Sequence, residues 1–197
     1  YQDYIDEYIR TAITDKDRTT ADSIEYYTGT STDEILTKSM GDTLRILAEQ
    51  LTGMRSFTAG SADDVYTLTA DGGVMTDGSY TVAGVRDTKN GKVSTIDADG
   101  HSLLEVQGGT LTYKDVNITN TAQTDGAVLN ISSADANGTL SGNVNINSEA
   151  ANGIVNKGTL TITDNSEVNT NTSIIGTGAF STGNNVTLNL TNGASII

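Results

Sequence analysis

The apolar positions of this chain change period once, from helical to strand-like. Tyr4, Ile5, Tyr8, Ile9, Ala12 and Ile13 recur at i, i+4 spacing, which places them on one face only if the backbone turns every 3.6 residues. The polar run from Asp15 to Arg18 ends that stripe, and a shorter pattern from Ala21 to Tyr27 stops at Gly29, a residue suited to a left-handed helix cap. Ser31-Thr32-Asp33-Glu34 then reads as a capping box, with Ser31 as N-cap and Glu34 reaching back to it. Behind it Ile35, Leu36, Met40, Leu44, Leu47 and Leu51 form an apolar stripe ending near Gly53, with Glu34 and Lys38 one turn apart in the favourable order. From Phe57 the period is two. Val65–Thr69, Tyr80–Val82 and Val93–Ile96 are short β-branched runs divided by Asp-Gly, Asp-Gly-Ser and Asn-Gly turns, and strand signals continue to the last residue. The pattern predicts a helical segment over residues 1–56 and a β region over 57–197.

The β region repeats itself. Gly109-Thr110-Leu111-Thr112 returns as Gly138-Thr139-Leu140-Ser141 and as Gly158-Thr159-Leu160-Thr161. Val116-Asn117-Ile118-Thr119 returns as Val144-Asn145-Ile146-Asn147 and, altered, as Val186-Thr187-Leu188-Asn189. Gly126-Ala127-Val128-Leu129-Asn130 is answered by Gly153-Ile154-Val155-Asn156 and loosely by Gly178-Ala179-Phe180. One such unit cannot bury its own apolar face, so neighbours must stack to make a core. Small inward residues suit a narrow interior, and Gly and Asn supply the left-handed backbone of tight corners. The absence of proline fits, because an interior strand needs its backbone N–H for the strand beside it. These features predict a mainly β chain: a parallel β-helix (β-solenoid) of about six irregular turns, preceded by the helical segment. An all-β sandwich satisfies the short strands and regular turns as well.

Composition narrows the function. Eleven basic against twenty-five acidic residues leave a net charge of −14, which argues against nucleic acid and anionic membranes as partners. No apolar run approaches the length of a membrane-spanning helix, and the start lacks a signal-peptide pattern, so export would imply a leader removed before Tyr1. With no cysteine, disulfide scaffolds and thiol chemistry are excluded. Asparagine first occurs at Asn90, the first of seventeen, while no arginine follows Arg86. Cysteine-free, acidic, Thr/Asn/Gly-rich chains are typical of bacterial surface proteins; an acidic cytosolic protein is the plain alternative.

The Gly-Thr-Leu-Thr and Val-Asn-Ile-Thr units over residues 57–197 resemble the passenger regions of bacterial autotransporters and related adhesins. That resemblance implies a right-handed parallel β-helix on an exported, cell-surface protein. Tailspikes, polysaccharide lyases and ice-binding solenoids share the same pattern.

Sites for chemistry are sparse. Asp97-Ala98-Asp99-Gly100 with Glu105 looks like an oxygen-ligand calcium loop, but the frame puts Thr95 first and Val106 where the bidentate glutamate belongs, so a plain turn is expected. His101, the only histidine, has Asp99 and Ser102 beside it, yet no Gly-x-Ser-x-Gly elbow exists to supply a nucleophile. After Tyr113 the carboxylates Asp115, Asp125, Asp135, Glu149, Asp164 and Glu167 are scattered, whereas inverting glycoside hydrolysis needs a pair about 6.5–9.5 Å apart. Thr110/Thr112, Thr159/Thr161/Thr163 and Thr170/Thr172 alternate as an outward row would. An ice-binding plane demands flat, regular rows, and the irregular repeat is expected to spoil their register.

The expectation is therefore a non-enzymatic structural module with no metal and no cofactor. Tyr1, Tyr4, Ile5, Tyr8 and Ile9 either pack on the capping-box helix or offer a contact surface for another subunit. Ile196-Ile197 ends the chain on an apolar pair, which suggests either a longer chain or an end covered by a neighbour. The partners expected are a second copy in a homopolymer, a continuation of the same chain, or a host or cell-surface ligand. A carbohydrate-binding or polysaccharide-degrading protein is the alternative.

Overall fold

The computed structural model describes residues 54–68, 71–120, 127–149 and 152–197. Most of the expected helical segment, with Tyr1, Tyr4, Ile5, Tyr8 and Ile9, lies outside them. Every regular element among the described residues is a strand, and the first, Met54–Thr58, starts ahead of the boundary expected at Phe57.

The strands form three parallel ladders that the chain visits in turn. The first ladder runs Met54–Thr58, Ser79–Ala83, the front of Gly109–Asn120, the front of Ala136–Ser148, Thr159–Ile162 and Ala179–Thr182. The second runs Val65–Thr67, Thr95–Asp97, the back of those same two long strands, Glu167–Thr170 and Thr187–Leu190. Because two strands run through both, these ladders belong to one ten-stranded sheet. The third, a five-stranded sheet, runs Val74–Met75, Glu105–Val106, Ala127–Ile131, Asn152–Asn156 and Ile174–Ile175, and a bridge from Ile174 to Ile196 extends it. Among the described residues one pair is antiparallel, Arg86–Asp87 with Lys92–Val93, and it folds about the Asn90-Gly91 turn read from the sequence, with Gly91 at φ 69°.

Alternation drives the core. In Thr159–Ile162 and Glu167–Thr170 every second residue is buried. Leu111, Leu140, Leu160 (first ladder), Val144, Val168 (second) and Ile154 (third) belong to a single buried cluster. Each such side chain contributes roughly 1.5–3 kcal/mol of transfer free energy.

The corner between the first and second ladders is left-handed on four successive rungs, at Asp115, Gly142, Asn165 and Asn185 (φ 48°, 69°, 58° and 56°). Short polar side chains and glycine are the residues that tolerate this region. Two carboxylates fasten it. The Asn143 N–H donates to Asp115 Oδ1 at 2.9 Å, and the Asn184 N–H donates to Asp164 Oδ1 at 2.7 Å. A Cβ on Gly142 would stand 2.2 Å from that Asp115 oxygen.

Register agrees with the sequence repeat in one place and departs from it elsewhere; in the third ladder, for instance, Asn130 pairs with Val155 and not with Asn156. Val116-Asn117-Ile118-Thr119 lies directly on Val144-Asn145-Ile146-Asn147. The Gly-Thr-Leu-Thr copies, however, are slipped by two residues: Gly138, not Leu140, pairs with Leu111 and with Leu160. A slip of two keeps every side chain on its face, and Ile131 fills the vacated space, with its Cδ1 2.6 Å from where a Gly138 Cβ would sit. The altered last copy is also displaced, since Asn189 pairs with Asn169 and Leu188 with Val168. Gly178-Ala179-Phe180 falls in the first ladder, paired with the strand Thr159–Ile162, whereas Leu129 and Ile154 pair in the third.

Candidate functional site

Two outward faces carry ordered polar columns. On the second ladder Asn117, Asn145, Asn169 and Asn189 stand in register on consecutive rungs. Each side-chain amide donates to the one before it: Asn145 Nδ2 to Asn117 Oδ1 at 2.8 Å, Asn169 Nδ2 to Asn145 Oδ1 at 2.8 Å, and Asn189 Nδ2 to Asn169 Oδ1 at 2.7 Å. The column starts on backbone, since Asn117 Nδ2 donates to the Val93 carbonyl at 3.2 Å. A second, shorter pairing joins Asn171 Nδ2 to Asn147 Oδ1 at 2.9 Å.

On the first ladder the corresponding column is hydroxylic: Ser56, Thr81, Thr112, Thr139, Thr161 and Ser181 pair rung by rung. Beside it, two residues back along each strand, run Ser79, Thr110, Asn137, Thr159 and Ala179. Their chain neighbours Leu111, Tyr113, Leu140 and Leu160 point inward and are buried, so these columns face out. The irregular repeat was expected to break such rows, but it does not. Its variation is absorbed in the connections, and the only register shift between the two long strands lies between Ser141 and Val144, at the corner. Of the threonines picked out by alternation, Thr110, Thr112, Thr159 and Thr161 belong to the columns, whereas Thr170 and Thr172 are buried and bond each other at 2.8 Å.

The third ladder has a shallow groove of about 350 Å³ lined by Gly72, Val74, Ser102, Glu105, Asn130 and Lys157. His101 and Asp71 adjoin these residues in sequence. The histidine pairs with neither Asp99 nor Ser102; its Nδ1 lies 3.2 Å from Asp71 Oδ1, an oxygen that also accepts the Ser102 N–H at 3.0 Å. The Ser102 N–H, and then His101, hold the Asp71 carboxyl below its ordinary range. Asp97 and Asp99 form the expected turn, with the Asp99 N–H donating to Asp97 Oδ1 at 3.0 Å and Asp99 at φ 48°. Among the described residues no group of three histidine or carboxylate side chains converges as a metal cluster would.

Ile196 and Ile197 fall on the third ladder, where the Ile197 N–H donates to the Ile174 carbonyl at 2.9 Å. They are 52% and 74% exposed. On the same last rung Phe180 and Leu188 are only partly buried, although Leu160 and Val168 below them are wholly inside. Among the described residues, none covers the outer side of these interior-type side chains.

Set beside protein-family models, curated proteins and solved structures, this chain finds no match. The reading of its role rests on its own residues.

Proposed function

We propose that residues 54–197 are a parallel β-helix serving as a structural module of an exported surface protein, of the adhesin or autotransporter-passenger kind. The observation that carries this reading is the cyclic order of the three parallel ladders around one buried cluster. A chain wound this way grows in one direction by adding rungs, and its faces repeat at the strand spacing. The acidic surface, with its amide and hydroxyl columns, then acts by reach and contact, not by turnover. Its partner is a second copy or a host-surface ligand; neither nucleic acid nor an inserted membrane segment is expected of a chain at −14. The uncovered last rung with Ile196 and Ile197 is the joint in the assembly version of this proposal, its counterpart being the N-terminal segment of the next molecule. The groove on the third ladder, with Glu105, Asn130 and Lys157, favours an uncharged saccharide as the ligand in a second reading.

Size-exclusion chromatography with negative-stain microscopy tests the proposal on the 197-residue protein. Short rods or fibres with a regular axial repeat are the expected images. Compact particles without a long axis would overturn the β-helix, and rods that stay monomeric at high concentration would overturn end-to-end assembly.

A further inference from the structure

Along the hydroxyl column of the first ladder Thr161 and Ser181 bond each other at 3.3 Å, and it is the middle rungs that differ from the amide column in what their polar atoms touch. On the second ladder the asparagine amides are engaged with one another from Asn117 to Asn189. On the first, no hydrogen bond within the described residues engages the Oγ1 of Thr81, Thr112 or Thr139, although all three are partly exposed and stand on consecutive rungs. Their hydroxyls are therefore open to solvent. The threonine methyls lie in the same plane as the hydroxyls, because both branch from a Cβ that the pleat directs outward.

Charge sets this plane apart a second time. The protein carries −14, yet neither column contains a charged residue; Lys114 lies two residues beyond Thr112, at the corner, and Arg55 directly precedes Ser56 in the first strand. The second ladder, built on the same rungs, carries Asp97 and Glu167 on its outer side. An uncharged plane in so acidic a chain suits a ligand that bears no charge and that charged groups would disturb.

Geometry narrows the choice of that ligand. Parallel strands repeat at about 4.7–4.9 Å across the ladder, and alternate residues along a parallel strand repeat at about 6.6 Å. A lattice of hydroxyls and methyls with those two periods approximates the oxygen rows on a face of hexagonal ice, and register holds without a bulge from Ser56 through Ser181. We propose that the outer face of the first ladder is an ice-binding plane, whose ligand is crystalline water held through ordered waters between the threonines. Ranked ladders fix the hydroxyls in the folded state, so the ordering entropy is not lost again on binding.

The test measures thermal hysteresis, ice recrystallisation and partitioning of labelled protein into a growing ice hemisphere. The whole chain is expected to shape ice and to partition into it. Thr112→Lys with Thr139→Lys, which puts two charges into the plane, is expected to abolish all three effects, while Thr119→Lys on the second ladder keeps them. Thr139→Val, which keeps the shape and removes one hydroxyl, guards against loss by misfolding and is expected to weaken the activity with the circular dichroism unchanged. Exclusion of the wild-type chain from ice, or full activity of a folded Thr112→Lys/Thr139→Lys protein, would overturn the proposal. Neither result bears on end-to-end assembly.

Discussion

Asn145→Asp is the sharpest perturbation of the asparagine column, because it changes the chemistry of one atom and almost no volume. Asn145 Nδ2 donates to Asn117 Oδ1 at 2.8 Å and to Asn143 Oδ1 at 2.9 Å, while its Oδ1 accepts from Asn169 Nδ2 at 2.8 Å. The substitution keeps the accepted bond and turns both donated bonds into contacts between acceptors. Two lost bonds at about 0.5–1.5 kcal/mol each give about 1–3 kcal/mol. Repulsion between oxygens adds to this, moderated by solvent because the site is only part-buried. The expected destabilisation at pH 7 is about 2–3 kcal/mol, read from urea unfolding followed by far-UV circular dichroism. The sign of its pH dependence follows from linkage. The neighbours disfavour the charged form, which raises the folded pKa of the introduced carboxyl above its unfolded value of about 3.9. The penalty is thus full above the raised folded pKa, recedes as pH falls through it, where the protonated carboxyl donates again, and is relieved by about pH 4. A variant within about 0.5 kcal/mol of wild type at pH 7 would refute the column as a stabilising element, since that is the scatter of ordinary surface substitutions.

Two further substitutions probe the corner and the core. Gly142→Ala is expected to cost roughly 2–4 kcal/mol, from a left-handed φ of 69° and a Cβ 2.2 Å from Asp115 Oδ1. Asp115→Ala alone costs roughly 1–2 kcal/mol by stranding the Asn143 N–H, and the double variant should cost about 1 kcal/mol less than the two singles together, because removing the carboxylate makes room for the methyl. Strict additivity in a denaturant cycle would count against that contact. Burial pushes the Tyr113 phenol far above its ordinary range. The unfolded chain titrates near 10, so above that pH it holds fewer protons than the fold, and Tyr113 alone lowers stability by about 1.4 kcal/mol per pH unit. Tyr113→Phe should flatten this alkaline limb while giving up the Oη bond to the Val128 carbonyl at 3.4 Å; an unchanged slope would refute the assignment.

Local alternation was legible in the sequence and phase between copies was not. The strands around Tyr66, Tyr80 and Ile96 announce themselves by β-branched neighbours, and Asn90-Gly91 announces its hairpin. Matching letters, however, cannot see that Ile131 occupies the space opposite Gly138, which is what allows the glycine copy to stand where Leu111 and Leu160 stand. The same blindness affects the threonines. Thr161 and Thr170 both sit in alternating runs, but only the buried Ile162 and Val168 fix which parity faces in, and they send Thr161 out and Thr170 in. His101 finds its partner at Asp71 because connections between ladders bring residues 30 apart to the same edge, a distance no local pattern encodes.

The variable period and the constant register are two consequences of one arrangement. Successive rungs of the first ladder differ in length, from 31 residues between Ser79 and Thr110 to 20 between Thr159 and Ala179. Slack of that size inside a strand would flip side chains between core and solvent, so it must be taken up where the chain changes ladder. The shift between Ser141 and Val144 sits at such a corner, where Gly142 takes a left-handed φ and Asp115 accepts the Asn143 N–H. Fastened corners leave the faces free to be ordered columns, and the two columns have opposite chemistry. Asparagine, with donor and acceptor on one planar group, satisfies itself along the second ladder and needs no solvent partner. Threonine, with a hydroxyl too short to reach the next rung at every step, leaves Thr81, Thr112 and Thr139 open to solvent. The amide column bonds within the fold, and the middle of the hydroxyl column is left open to what lies outside it.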